Sequence, residues 1–86
     1  MSNHSNESSV WLITGCSSGL GRALAEHALE RGHRVAVTAR NRASVTDLAA
    51  KYGDRALALR LDVTDPASVS AAVQTCEAEF GRIDVL

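Results

Sequence analysis

The sequence predicts an α/β fold, a doubly wound parallel sheet present in part, with strand order 3-2-1-4. Three observations lead there. Short apolar runs alternate with segments whose apolar residues recur every three or four positions, a glycine-rich turn joins the first run to the first such segment, and glycines close the helical segments. A chain that alternates in this way has right-handed parallel crossovers as its common solution.

Val10 to Thr14 is continuously apolar and rich in strand formers, as expected for a parallel strand buried on both faces. From Gly19 the apolar residues Leu20, Ala23, Leu24 and Ala28 fall at helical spacing, and Gly32 marks the stop. Arg34 to Ala39 (RVAVTA) is the second strand, and it completes a βαβ unit. Val45, Leu48, Ala49 and Tyr52 form the stripe of a second helix, ended by Gly53. Ala56 to Val63 alternates Leu57, Leu59, Leu61 and Val63 as a third strand whose far end carries Asp62. Asp65 caps the next helix, with Pro66 at a first-turn position where no N–H is needed. Its stripe is Val69, Ala72, Val73, Cys76 and Phe80, Gly81 ends it, and Ile83 to Leu86 is expected to begin a fourth strand. Residues 1–9 are expected to be a disordered polar tail and 10–86 one unit without an internal linker.

Composition removes several function classes. Nine Lys and Arg against ten Asp and Glu leave a net charge of −1, so no overall field draws nucleic acid or anionic lipid. Trp11, Tyr52 and Phe80 are the only aromatics, too few for the stacking platforms of single-strand binders. No apolar run approaches a membrane span, and the polar start lacks a secretory pattern, so a cytoplasmic location is expected. Cys16 and Cys76 match no metal or redox spacing and read as reduced, ordinary small residues. His27 and His33, flanking the end of the first helix, have no partner at catalytic or metal spacing and are expected at the surface; Asp84 is expected to cap or to face solvent.

The chemistry concentrates in Thr14-Gly15-Cys16-Ser17-Ser18-Gly19-Leu20-Gly21. Three glycines between a strand and a helix let bare backbone approach a phosphate that a Cβ would push away. Ser17 and Ser18 offer hydroxyls, and the helix start adds about 0.3 to 1 kcal/mol for a nearby negative charge. A pyrophosphate suits this turn, with Gly15, Ser17, Ser18, Gly19, Leu20 and Gly21 as its candidate residues. The other reading is a tight turn whose glycines only permit close helix packing. The spacing is neither G-x-G-x-x-G nor a P-loop.

Thr14-Gly15-x-x-x-Gly19-x-Gly21 resembles the cofactor motif of the short-chain dehydrogenases/reductases. Asp62-Val63 resembles the family's next signature, an Asp that meets the adenine amino group beside a residue lining the ring pocket, and Gly81 to Leu86 is similar to the lead into its Asn-Asn-Ala-Gly strand. The resemblance runs from about Val10 to Leu86. It implies a Rossmann-type domain and hydride transfer between a nicotinamide dinucleotide and a small carbonyl or alcohol substrate.

The residue closing strand two commonly selects the dinucleotide, because an acid there binds the ribose 2′-hydroxyl and repels a 2′-phosphate. Here Ala39 stands there and Arg40 follows, which points to NADP over NAD. The guanidinium would make charge-assisted hydrogen bonds worth about 1.5 to 3 kcal/mol to the phosphate. Many NADP-preferring relatives carry a second basic residue where Ser18 stands; Arg42 is the alternative.

The resemblance also implies a catalytic Tyr, a Lys four residues later and a positioning Ser, and none is recognisable here. Tyr52 is followed by Gly53-Asp54-Arg55-Ala56 and lies on an apolar stripe, so it reads as core. The chain is therefore expected to be the cofactor-binding front of a longer oxidoreductase, inactive alone, with the family's usual homo-oligomer contacts on helices it does not contain. An exposed edge on strand one would favour self-association. The alternative is a stand-alone nucleotide-binding or interaction module without catalysis; a methyltransferase is a more distant one, since it too favours an acid where Ala39 stands.

Overall fold

The computed structural model describes residues 9–86, so His4 and the rest of the expected tail, apart from Ser9, lie outside the described residues. Three strands, β1 (Val10–Ile13), β2 (Arg34–Ala39) and β3 (Ala56–Arg60), pair in parallel in the order β1-β2-β3. Val10 lies opposite Arg34 and Val35 opposite Ala56. Helices α1 (Gly19–Glu30), α2 (Thr46–Tyr52) and α3 (Pro66–Phe80) connect and follow them, with 3-10 turns over Arg42–Val45 and Gly53–Arg55.

The β2 strand is central, and all its residues after Arg34 are buried. Val35, Val37 and Ala39 cluster on one face with Ala25, Ala28 and Leu29 of α1 and with Val45 and Leu48. Ala36 clusters on the other face with Val10, Leu12 and, from α3, Ala72 and Cys76. Helices thus cover both faces, the doubly wound arrangement. Each fully buried Leu or Val contributes about 1.5–3 kcal/mol over its exposed state, so the small side chains at helix positions 25, 28 and 72 serve approach more than area.

Of the stripe predicted for α1, Ala28 is buried as expected and the other three residues are corrected. Leu20 is 85% and Leu24 40% exposed, and Ala23 is exposed too, whereas Ala25, Ala28 and Leu29 are buried. The cause is Gly21: a Cβ there would lie 2.3 Å from the Gly15 carbonyl oxygen. That contact turns the 21-25-28-29 face inward and rotates the more apolar-looking face outward. The α3 prediction agrees with the structure: Asp65 accepts from the Ala67 N–H at 3.1 Å, Pro66 opens the helix, and Gly81 closes it.

Strand boundaries also differ. The β3 ladder stops at Arg60 rather than Val63, because the chain turns at Asp62 to start α3. Over 83–86 there is a single parallel bridge, Val85 to Trp11, in place of the expected strand. It lies on the side of β1 away from β2, with Leu12 N–H donating to Val85 O at 2.9 Å and Asp84 N–H to Val10 O at 2.8 Å. This contact partly covers the β1 edge that the sequence suggested would be exposed. Nor is Ser9 part of a loose tail: its N–H donates to His33 Nδ1 at 3.0 Å, and its carbonyl accepts from Arg34 N–H. His33 is accordingly half-buried, 5.7 Å from the Trp11 ring, and not a free surface residue.

Candidate functional site

The turn after β1 is held from below. Ile13 O accepts from the buried Thr38 hydroxyl at 2.8 Å and from Cys16 Sγ at 3.2 Å, while Cys16 N–H donates to Thr38 O at 2.8 Å. Cys16 is fully buried, and burial pushes its thiol pKa up, so it packs as a neutral small residue. With Cys16 turned inward, Ser17 and Ser18 stay exposed above it. Gly15 (φ +68°) and Gly19 (φ +65°) take backbone conformations that a side chain would strain. Gly21 has no room for one: beyond the Gly15 oxygen, the Thr14 oxygen would be 2.8 Å from its Cβ.

The start of α1 is notable for what its own side chains do there. Ser18 occupies the N-cap position in extended conformation without a side-chain capping bond, and no acidic residue lies in the first turn. The helix opens with its positive end directed at this glycine turn and with no carboxylate to neutralise it.

Beside the turn lies a cleft of about 420 Å³ at the carboxyl ends of the three strands. Thr14, Gly15 and Ser17 form its turn side; Ala39, Arg40, Asn41 and Ser44 form the wall after β2; Leu61 and Val63 form the wall after β3. Of the residues singled out from sequence, Gly15, Ser17, Arg40 and Val63 line it, and Val63 is 64% exposed. Ser18, Gly19, Leu20, Gly21 and Asp62 do not line it; the first four lead from the turn into α1.

Asp62 builds the turn between β3 and α3. Its Oδ1 accepts from the Thr64 hydroxyl at 2.7 Å and the Thr64 N–H at 3.0 Å, and its own N–H donates to Ser68 Oγ at 2.9 Å. These Thr64 bonds, helped by the charges of Arg40 and Arg60, hold its carboxyl below the usual carboxylate range. Arg42, the alternative second cation, does not line the cleft; its Nε donates to Ala58 O of β3 at 3.0 Å.

Sequence reasoning missed Asn41, Ser44 and Leu61 as cleft residues. The Asn41 side chain accepts from Ala43 N–H at 3.1 Å, so the Asn41-x-x-Ser44 pattern before a helix was a readable capping signal. It also missed Arg22, which pairs with Asp47 and donates to Ser44 O at 3.5 Å. No local pattern announces that contact, which spans 25 residues. Tyr52, half-buried against the α1 and α2 cluster, donates its hydroxyl to Glu30 and does not line the cleft. Among the described residues, no helix is long and apolar enough to cross a membrane.

Comparison with known proteins agrees with this geometry. An oxidoreductase of Botryotinia fuckeliana, BOA17, is 47% identical over 78 residues, which is 90% of this chain and 28% of that protein. A short-chain dehydrogenase from Streptomyces avermitilis superposes with a TM-score of 0.86 at 45% identity, covering 92% of this chain and 30% of that one. The 3-ketoacyl-(acyl-carrier-protein) reductase of Brucella melitensis, solved in complex with NADH, gives 0.85 at 36% identity, covering 92% of this chain and 33% of that one. The chain thus spans about a third or less of the length of these three proteins. Residues 9–86 match the short chain dehydrogenase family, and with the glycine turn placed at the carboxyl ends of a parallel sheet, the chain belongs to that family of oxidoreductases.

Proposed function

We propose that this chain is the cofactor-binding front of an NADP(H)-dependent oxidoreductase, one that moves a hydride between the nicotinamide and a small carbonyl or alcohol substrate. The observation that supports it most is the union, in one place, of an uncapped α1 start, a glycine turn that no Cβ could occupy at Gly21, and a cleft walled by Arg40. The pyrophosphate would sit on the N–H groups of the turn and of Gly19, Leu20 and Gly21, with the hydroxyls of Ser17 and Ser18 beside it. The bound dinucleotide would supply the hydride chemistry.

The adenosine end would enter the cleft. Val63 and Leu61 offer apolar contact to the ring. Asp62, which lies between them in the chain but does not line the cleft, would accept an adenine amino group through Oδ2 only where the ring reaches beyond that lining, its Oδ1 being taken by Thr64. Arg40 would face the ribose, where Ala39 brings no carboxylate to compete for the 2′-hydroxyl. That arrangement favours the 2′-phosphate, although the similar Brucella enzyme was solved with NADH. Neither Tyr52 nor any Lys near it borders the cleft, so this chain by itself would bind without turning substrate over.

Calorimetric titration of the chain with NADPH and NADH tests the reading. NADPH is expected to bind about tenfold to a hundredfold more tightly. Equal affinities would remove the NADP assignment, and no binding of either would remove the cofactor reading. A chain that bound neither yet captured a protein partner would instead be an interaction module.

A further inference from the structure

We propose that Arg22 is a positioning residue, which sets the distance between the phosphate-binding turn and the 41–47 segment that walls the adenosine ribose. The inference rests on the cofactor reading above and extends it to a residue outside the cleft. Arg22 directly follows Gly21, whose backbone is pressed against the Gly15 and Thr14 carbonyls, so its Cα is fixed relative to the turn. From there its guanidinium reaches the back of the opposite wall: Nη1 to Ser44 O at 3.5 Å and Nη2 to the Asp47 carboxylate, with Nε 3.9 Å from Glu26. The Asp47 contact is the principal one, the Ser44 and Glu26 approaches being longer, and Arg22 does not line the cleft.

The wall is gripped from its other side as well. Arg42 Nε, within the same segment, donates to Ala58 O of β3 at 3.0 Å. Asn41 and Ser44 of this anchored segment line the cleft, and Arg40, just before it, is the guanidinium that lines it. The two roles therefore separate: Arg40 discriminates between ligands, and Arg22 places the wall on which discrimination depends. The hydrogen bond from the Arg22 guanidinium in turn holds the Asp47 carboxyl below the usual carboxylate range.

The test uses the 86-residue chain, two probes and two partners of one ion pair. Adenosine 2′,5′-bisphosphate reports on the wall, and inorganic pyrophosphate reports on the turn alone. Arg22→Gln and Asp47→Asn are each expected to weaken the bisphosphate about three- to tenfold, to leave pyrophosphate within about twofold, and to be no worse in combination, because they remove one shared contact. If Asp47→Asn left bisphosphate binding unchanged or tighter while Arg22→Gln weakened it, Arg22 would be a direct phosphate ligand and the proposal would be overturned. Equal loss of both probes would also overturn it, by showing a general structural role. Should Arg22→Gln not fold, Asp47→Asn decides, since the Asp47 side chain is 62% exposed and its loss is tolerable. A wild-type chain that ignored the bisphosphate would overturn the cofactor reading and this one together; wild-type binding with unaffected variants would overturn this one alone.

Discussion

The Asp84 carboxylate accepts the N–H of Val10 at 2.8 Å, joining residues 74 apart in the chain and closing the start of the first strand. Arg82 Nε donates to the same oxygen at 2.8 Å. The Val10 N–H, with Arg82, holds the Asp84 carboxyl below the usual carboxylate range, because both partners favour the charged form. Since the folded value is depressed, the stabilisation is present above the unfolded value of about 4 and is lost as pH falls through the folded one. Asp84→Asn keeps an acceptor without the charge. Its urea midpoint is expected to lie below the wild type's at neutral pH, and the gap is expected to shrink as pH falls below the unfolded value and through the depressed folded one. A gap that persisted undiminished in acid would contradict this account.

Gly21 is where helix and turn meet most closely. Gly→Ala in a helix interior usually stabilises by about 1 kcal/mol, but here the new Cβ would meet a carbonyl oxygen at 2.3 Å. Gly21→Ala is therefore expected to destabilise by about 1–3 kcal/mol net, as overpacking does, and to lose dinucleotide binding as the helix is pushed off the turn. Equilibrium urea unfolding measures the first, and titration with NADPH the second.

Arg40 gives the sharpest ligand-dependent outcome. Arg40→Ala is expected to cost tenfold to a hundredfold in NADPH affinity, equivalent to about 1.5 to 3 kcal/mol, and to leave NADH nearly unchanged. Raising salt should narrow the wild-type preference, since Arg40 is exposed and its field is screened. A preference intact in the variant would move the role to another residue.

The phase of α1 can be read by truncation. Leu29 is fully buried, so Leu29→Ala is expected to cost about 2–5 kcal/mol, whereas Leu20→Ala is expected to change stability by no more than about 0.5 kcal/mol. Comparable costs at the two sites would mean that the helix is rotated from the position described.

Much of this protein was legible in its residues because the governing effects are local. Apolar periodicity marked each helix and strand in order, the Asp65-Pro66 cap was visible as a pair, and the spacing of Gly15, Gly19 and Gly21 announced both the turn and the family. Arg40 was placed at the site by its position at the end of strand two and Val63 by the family resemblance of Asp62-Val63, and the cleft includes both but not Asp62. What only the tertiary structure decided depends on partners far along the chain. Periodicity marked Leu20, Ala23, Leu24 and Ala28 for burial in α1, but with Gly21 set against the Gly15 carbonyl only Ala28 of these is buried, alongside Ala25 and Leu29. His33 acquired the Ser9 N–H, Asp84 the Val10 N–H, and Arg22 the wall beyond Ser44, each through contacts that no spacing rule encodes. A polar side chain's role is set by the donor or acceptor that folding leaves beside it, and that neighbour is chosen by the packing of the whole domain.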